Sequence, residues 1–264
     1  PGVAIGSFFG GLAPDLSLPG ALLMALANTV SAISSAWIAR KWTGFQQDDL
    51  SVRDVMMLFI PIALGTSVLS AALGTMAQVS SGWATGPDIP VRGFLWWLGD
   101  AMGFVLVAPL ALSWRPRQEP LSARDLVMLL PCAFAAVAFS LTRVDPWVHD
   151  LLVLTIFPFA VWCALRSSVR AIALANLVIA AIAVFTTSMG RGPFADQPDL
   201  YRSIVQQGYL YALSLVMLVL GVTRARQRTA EHDLRRSQKL FSMLFEASSV
   251  AVAFSRFSDD HYLE

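Results

Sequence analysis

Long apolar runs leave few architectures open to this chain. A helix needs about 20 apolar residues to cross the hydrocarbon core of a bilayer. Seven candidate runs follow one another, at 18–38, 54–76, 93–114, 125–142, 151–165, 169–188 and 203–223. A shorter run, PGVAIGSFFGGLA, opens the chain. Because backbone polar groups must be satisfied within the bilayer, we predict an all-α integral membrane protein of about eight transmembrane helices, the first incomplete.

Composition agrees with this prediction and narrows the classes of function. Of the 264 residues, 56% are hydrophobic and only 14% are charged, more apolar than a soluble domain requires. The sequence holds no phosphate-binding glycine loop and no nucleophile elbow, and Cys132 and Cys163 lie in separate runs as small packing residues. We therefore expect no catalytic residues, no metal site and no nucleic-acid partner, and the sequence identifies no cofactor.

Basic residues are distributed unequally between the loops. One set of alternate loops contains four of the 19 Lys and Arg residues, namely Arg92, Arg143, Arg191 and Arg202. The remaining 15 lie in the other loops and in the C-terminal tail. Since cytoplasmic loops retain basic residues, we predict a multi-pass protein of the cytoplasmic membrane with a cytoplasmic C-terminus. The external loops are too short for a periplasmic ligand-binding domain.

The last apolar run continues into a polar helix. Its residues Ala230, Leu234, Ser237, Phe241 and Leu244 follow the spacing of a two-stranded coiled coil. This spacing predicts a homodimer through a cytoplasmic linker at 224–240. The alternative is a solvated helix whose arginines reach the lipid headgroups. In both cases a helix that leaves the membrane can transmit a shift or a rotation to a cytoplasmic domain.

Asp100 is the one ionisable residue that the sequence places deep in an apolar run. A charge at this depth costs about 2.5–3.5 kcal/mol, so the carboxyl should be protonated, hydrogen-bonded or beside a hydrated cavity. Trp96 and Trp97 lie one helical turn earlier, and Asn28 and Asn176 are candidate amide partners from other runs. The functional interpretation is a ligand-binding or proton-sensing pocket. The alternative is a structural hydrogen bond between helices, typically worth about 0.6 kcal/mol.

Glycines four residues apart mark two further helix faces. One face carries Gly99 and Gly103 beside Asp100, and the other carries Gly2, Gly6 and Gly10. This spacing allows a second helix to approach closely, so we interpret both faces as helix-packing surfaces.

Three segments resemble a known family. PGVAIGSFFGGL, ALANTVSAISSAWIARK and FLWWLGDAMGFVLVAPLALSW are similar to successive helices of the first class of the MASE family, the membrane-associated sensor domains of bacterial signalling proteins. In that family an acidic residue commonly follows the Asn-Thr pair two positions on, where this chain has Ser31. Residues 241–264 are similar to the start of a PAS domain, with a helical FSMLFEAS followed by a strand VAVAFSRF.

The resemblance implies a sensor domain of the bacterial inner membrane at 1–223, the linker at 224–240 and a truncated PAS domain at 241–264. It implies that these residues are not an enzyme and that the full-length protein has a cytoplasmic output, either a diguanylate cyclase or phosphodiesterase (GGDEF or EAL type) or a histidine kinase. The partners expected are the lipid bilayer, a second copy, and a small-molecule ligand or partner membrane protein. The alternatives are a proton-coupled small-molecule transporter and a membrane scaffold.

Overall fold

The computed structural model describes residues 2–12, 17–42, 50–113, 121–141, 146–195 and 198–247, and these residues form an all-helical structure. The helices, in chain order, are α1 (Gly2–Leu12), α2 (Leu18–Trp42), α3 (Val52–Met57), a π-helical segment (Leu58–Leu64), α4 (Gly65–Ser80), α5 (Asp88–Ser113), α6 (Ala123–Leu141), α7 (Pro146–Arg166), α8 (Val169–Ser188) and α9 (Asp199–Ala247).

Five helical stretches in the described ranges are long and apolar enough to cross a membrane: Leu18–Lys41, Val52–Ser80, Asp88–Ser113, Val169–Ser188 and Leu200–Phe245. Two shorter apolar helices, Gly2–Gly11 and Thr155–Arg166, accompany them. The predicted all-α, multi-pass architecture agrees with this result. The count of eight spans stays a prediction.

Serine residues cap the starts of four of the described helices, and the first is Ser17, whose hydroxyl accepts from the Gly20 N–H of α2. Ser51 and Asp54 form a capping box at the start of α3, in which each side chain accepts a hydrogen bond from the other residue's backbone N–H. Ser122 and Asp125 repeat this arrangement at α6, and Ser168 caps α8. The second carboxylate oxygen of Asp125 accepts from the Ser168 backbone N–H at 2.8 Å, so Asp125 joins the starts of α6 and α8.

The π-helical segment interrupts the helix that runs from α3 to α4. It contains Pro61, which has no N–H to donate to the preceding turn. Side chains from outside the segment satisfy two of its carbonyl groups. The Trp97 indole N–H of α5 donates to the Leu64 carbonyl at 2.8 Å, and the Tyr211 hydroxyl of α9 donates to the Phe59 carbonyl. The segment is therefore fixed to both α5 and α9.

The apolar core lies among the π-helical segment, α8 and the first half of α9. Its largest fully buried side chains include Phe59, Ile172, Leu213 and Met217. Gly221 lets α9 approach α8, since a Cβ at this position would overlap the Ile172 side chain. Cys132 and Cys163 are buried in the same core as free thiols.

Residues 226–264 form a second unit, of which the structure describes the helical part up to Ala247. Residues 226–245 are exposed, including Leu234, Phe241 and Leu244 at the predicted coiled-coil positions. The predicted strand of the PAS start, VAVAFSRF, lies outside the described residues. The coiled coil and the PAS domain therefore stay predictions.

Candidate functional site

Asp100 lies half-buried near the middle of α5, facing α4. The Trp96 indole N–H, one turn earlier on α5, donates to its Oδ2 atom at 3.1 Å. The hydroxyl of Ser70 of α4 lies beside the Asp100 carboxyl group, while its proton is donated to the Oδ1 atom of Asn28. Polar side chains from two helices thus surround the carboxyl, which lowers the cost of placing it at this depth.

Asn28 of α2 extends this hydrogen-bond network to two more helices. Its Nδ2 group donates to the Ser7 hydroxyl of α1 at 3.0 Å, and its Oδ1 atom accepts from the Ser70 hydroxyl at 3.1 Å. A chain of polar contacts therefore runs from Ser7 through Asn28 and Ser70 to Asp100 and Trp96. Its steps are hydrogen bonds except the contact between Ser70 and Asp100. Sequence reasoning missed Ser7 and Ser70, although both are polar residues within apolar runs.

Gly74 positions the Trp96 ring. A Cβ atom at Gly74 would overlap the Trp96 indole, so glycine is required where the ring lies against the α4 backbone. Because the ring is held there, its N–H is directed at Asp100 one turn later on the same helix. The glycine in α4 thus supports the hydrogen bond made within α5.

Trp97 lies on a different surface from Asp100. It lines an apolar groove of about 610 Å³ between α4 and α5, together with residues such as Val68, Met76 and Ile89. Its ring contacts Phe94, with 5.6 Å between the ring centroids. The two adjacent tryptophans therefore have separate roles, with Trp96 bonded to the carboxylate and Trp97 to the π-helical segment.

A cavity of about 560 Å³ opens beside Asp100, among α1, α2, the π-helical segment, α4 and α5. Small and apolar residues form most of its wall. Its described polar lining residues are Asn28, Ser31, Ser35, Ser67 and Asp100, and none of the lining residues that the structure describes is Lys, Arg or His. This volume lies within the usual range for small-molecule sites, about 300–1,000 Å³.

The two candidate asparagines differ in their surroundings. Asn28 lines the cavity and belongs to the Asp100 network. Asn176 of α8 is only 3% exposed and is not among the cavity-lining residues. Neither polar atom of its amide has a hydrogen-bond partner within the part of the chain that the structure describes. A sensing role for Asn176 stays a prediction.

The glycine faces predicted for packing are open in the described ranges. No other atom lies within 4 Å of the place where a Cβ would stand at Gly99 or Gly103, and both residues line the cavity. Gly2, Gly6 and Gly10 also have no such neighbour. The close approach between α1 and α2 occurs instead at Gly11, where a Cβ would lie 3.2 Å from the Ala21 Cα atom.

Metal chemistry finds no support in the described residues. Among them, no group of three or more His, Cys, Asp or Glu side chains could hold a metal ion. The arrangement around Asp100 offers hydrogen bonding, one acidic group and a cavity. Such groups around a cavity can bind a small molecule reversibly.

Comparison with known proteins gives one match. A family model described as MASE1 matches residues 1–228, which includes every residue of the Asp100 network and the cavity lining. No curated protein and no solved structure matches the chain.

Proposed function

Since the chain belongs to the MASE1 family of membrane-associated sensor domains of signalling proteins, we propose that the Asp100 cavity receives the stimulus and that α9 relays it to a cytoplasmic output. The observation that carries this proposal is a pair of adjacent residues in the π-helical segment. Leu58 lines the cavity, and the carbonyl of the next residue, Phe59, accepts a hydrogen bond from Tyr211 of α9.

The contact between Phe59 and Tyr211 gives the relay a physical route. Besides the hydrogen bond, the two rings pack edge to face with their centroids 5.2 Å apart. Single π-helical turns occur frequently at functional sites, and their irregular hydrogen bonding permits a local change toward α-helical geometry. A ligand that moves Leu58 would therefore shift the partner carbonyl of Tyr211.

The relay requires two arrangements of the membrane helices that bind the stimulus with different affinity, because equal affinity would shift no population. We place the switch where the cavity meets the π-helical segment. The Asp100 network joins α1, α2 and α4 through single hydrogen bonds and reaches α5 through the contact between Ser70 and Asp100. These links are weak enough to exchange when a ligand enters.

The output side rests on the sequence pattern and on the helical extent of α9. We propose a cytoplasmic C-terminus in the bacterial inner membrane, a homodimer through residues 224–240 and a PAS domain that begins near residue 241. The effector beyond it would be a cyclic-di-GMP enzyme or a histidine kinase. In support, α9 is one helix of 49 residues whose apolar residues Leu234, Phe241 and Leu244 are exposed in a single chain.

The test uses the full-length protein in proteoliposomes, with cyclic-di-GMP turnover or autophosphorylation as the output. Tyr211→Phe removes only the hydroxyl that bonds the π-helical segment, and Asp100→Asn removes only the charge. We expect each to change the basal output by between about twofold and thirtyfold at normal folded yield. The matched control is Tyr201→Phe, because Tyr201 is an exposed tyrosine of the same helix.

Unchanged output in both variants, with normal yield, would remove the cavity and the Tyr211 contact from the mechanism. Two other results would favour the alternatives. Proton-dependent flux of a small molecule into the liposomes would favour a transporter, and co-purification of a second membrane protein would favour a scaffold.

A further inference from the structure

We propose that the ligand of the Asp100 cavity is an elongated organic monocation, a protonated amine carried on a linear apolar body. This inference rests on the proposed function, because it assigns a chemical class to the same cavity. It follows from the charge of the cavity wall and from the position of its polar end.

The charge argument begins with the described residues that line the cavity, none of which is basic. Asp100 is the one ionisable group among them. Its carboxyl accepts a hydrogen bond from Trp96 and lies beside the Ser70 hydroxyl. A carboxylate accepts hydrogen bonds at about four positions, so an ammonium group can still be received. A charge at this depth is stabilised by an opposite charge, which a cationic ligand would bring. An anionic ligand would find no positive side chain among the described residues of this wall.

The shape argument depends on the direction of the helices. α4 packs antiparallel to α2, because Asn28 pairs with Ser70 while the later residue Ser35 pairs with the earlier residue Thr66. α5 follows α4 after the short connection 81–87 and also runs antiparallel to it. The two helices that form the long walls of the cavity, α2 and α5, are therefore parallel to each other.

Parallel walls give the cavity a polar end and an apolar end. α2 contributes Asn28 at one end and Ala39 at the other, and α5 contributes Asp100 and Leu112 in the same order. At 1.5 Å per residue these pairs are about 16–18 Å apart along their helices. Leu58 belongs to the apolar end, since it lies 12 positions before Ser70 on the antiparallel helix. A ligand whose amine binds Asp100 would direct its apolar body toward the π-helical segment.

This geometry separates binding from signalling. The amine head determines affinity through Asp100, while the length of the apolar body determines whether Leu58 is displaced. Short and long amines would then share the dependence on Asp100 but differ in their effect on output.

The experiment measures direct binding of n-octylamine, n-octanol and n-octanoate to the chain in phosphatidylcholine nanodiscs, by equilibrium dialysis with empty nanodiscs subtracted. The neutral lipid prevents a bulk charge effect on partitioning. We expect octylamine to bind at least about tenfold more tightly than octanol, and octanoate to bind most weakly. Asp100→Asn should abolish the difference between amine and alcohol.

A steric variant keeps the test decisive if Asp100→Asn folds poorly. Ala36→Phe introduces a ring into the cavity wall at an exposed position and should reduce octylamine binding by at least about tenfold, a loss typical of a blocked site. The matched control is Ala72→Phe, an exposed alanine that lines the groove beside Trp97 instead. Equal binding of amine and alcohol to the wild-type chain, or a preference that survives Asp100→Asn, would overturn the proposal.

Output measured separately distinguishes this inference from the proposed function. Selective amine binding with no effect of any amine from butylamine to dodecylamine on full-length output would retain the ligand class and reject the relay. If Tyr211→Phe changes the output but the chain shows no selective amine binding, the relay would be retained and the ligand class rejected.

Discussion

Two regions of the molecule differ in the contacts that hold their helices together. One region surrounds Asp100 and the other surrounds Ile172. α2, α4 and α5 meet through Ser, Asn and Asp side chains and enclose a cavity of about 560 Å³. The region of α6 to α8 and the first half of α9 packs Ile, Leu, Met and Cys side chains, and a pocket there measures about 20 Å³. We expect close apolar packing to make the second region rigid, and we expect hydrogen bonds around a cavity to leave the first region able to rearrange.

The difference matters because lipid removes the usual advantage of burying apolar surface. Close van der Waals packing and interhelical hydrogen bonds remain as the forces that hold helices together. A region held by close van der Waals packing is costly to open. A region held by interhelical hydrogen bonds can exchange those bonds with a ligand. The effects of substitutions on the free energy of unfolding should therefore differ between the two regions, both in magnitude and in cause.

The largest effect is expected in the rigid region. Ile172→Ala removes a side chain that is 0% exposed and faces Gly221. Because the loss in lipid comes from packing contacts and from the cavity left behind, we expect the free energy of unfolding to fall by about 2–3 kcal/mol, the lower part of the range for such substitutions. Ile33→Ala is the control, because Ile33 is 64% exposed and should change the free energy of unfolding little. Steric trapping in bicelles measures both values, and equal losses at the two positions would contradict the proposed difference between the two regions.

An intermediate loss of stability is expected where two helices of the Asp100 region pack closely, at Gly74 and Trp96. Gly74→Ala places a methyl group against the Trp96 indole and should cost about 1–3 kcal/mol as an overpacking substitution. The same method measures it, and the smaller ring of Trp96→Phe in the double variant should recover part of the loss. Gly65→Ala, where no atom lies within 4 Å of the new methyl group, provides the control.

The smallest effect compares the two asparagines. Asn28→Leu breaks the hydrogen bonds to Ser7 and Ser70 and should lower the free energy of unfolding by about 0.6–1.7 kcal/mol. Asn176→Leu replaces a buried amide that lacks a described hydrogen-bond partner, so the protein should be equally stable or more stable. A larger loss from Asn176→Leu than from Asn28→Leu would show that Asn176 has a polar partner, and would reverse the assignment of the functional amide.

The sequence was sufficient to predict the helical membrane architecture, because the length of an apolar run and the periodicity of a helix are local properties. It also pointed to Asp100 and Asn28, which both line the cavity, since polar residues within apolar runs are few. Their predicted sensing role stays a prediction, and the described hydrogen bonds of the Asn28 side chain go to Ser7 and Ser70 rather than to Asp100. The sequence could not choose Asn28 over Asn176, because that choice depends on which face of each helix borders the cavity.

Three other features depend on tertiary contacts that no local pattern encodes. Ser70 joins the network because α4 lies between α2 and α5. Gly74 is required because the Trp96 ring of another helix lies against it. The glycine pair beside Asp100 predicted a close helix contact, but the structure has the cavity in that place, so the same spacing provides open space.

The π-helical segment also fixes the rotational register of α4. A turn with i→i+5 bonding holds one residue more than an α-helical turn, so regular α-helical geometry over Leu58–Leu64 would rotate everything that follows by about 100° about the helix axis. Ser70 would then turn away from Asp100, and Gly74 would turn away from the Trp96 ring. The polar wall of the cavity thus depends on the one additional residue in this turn as well as on the residue types that line it.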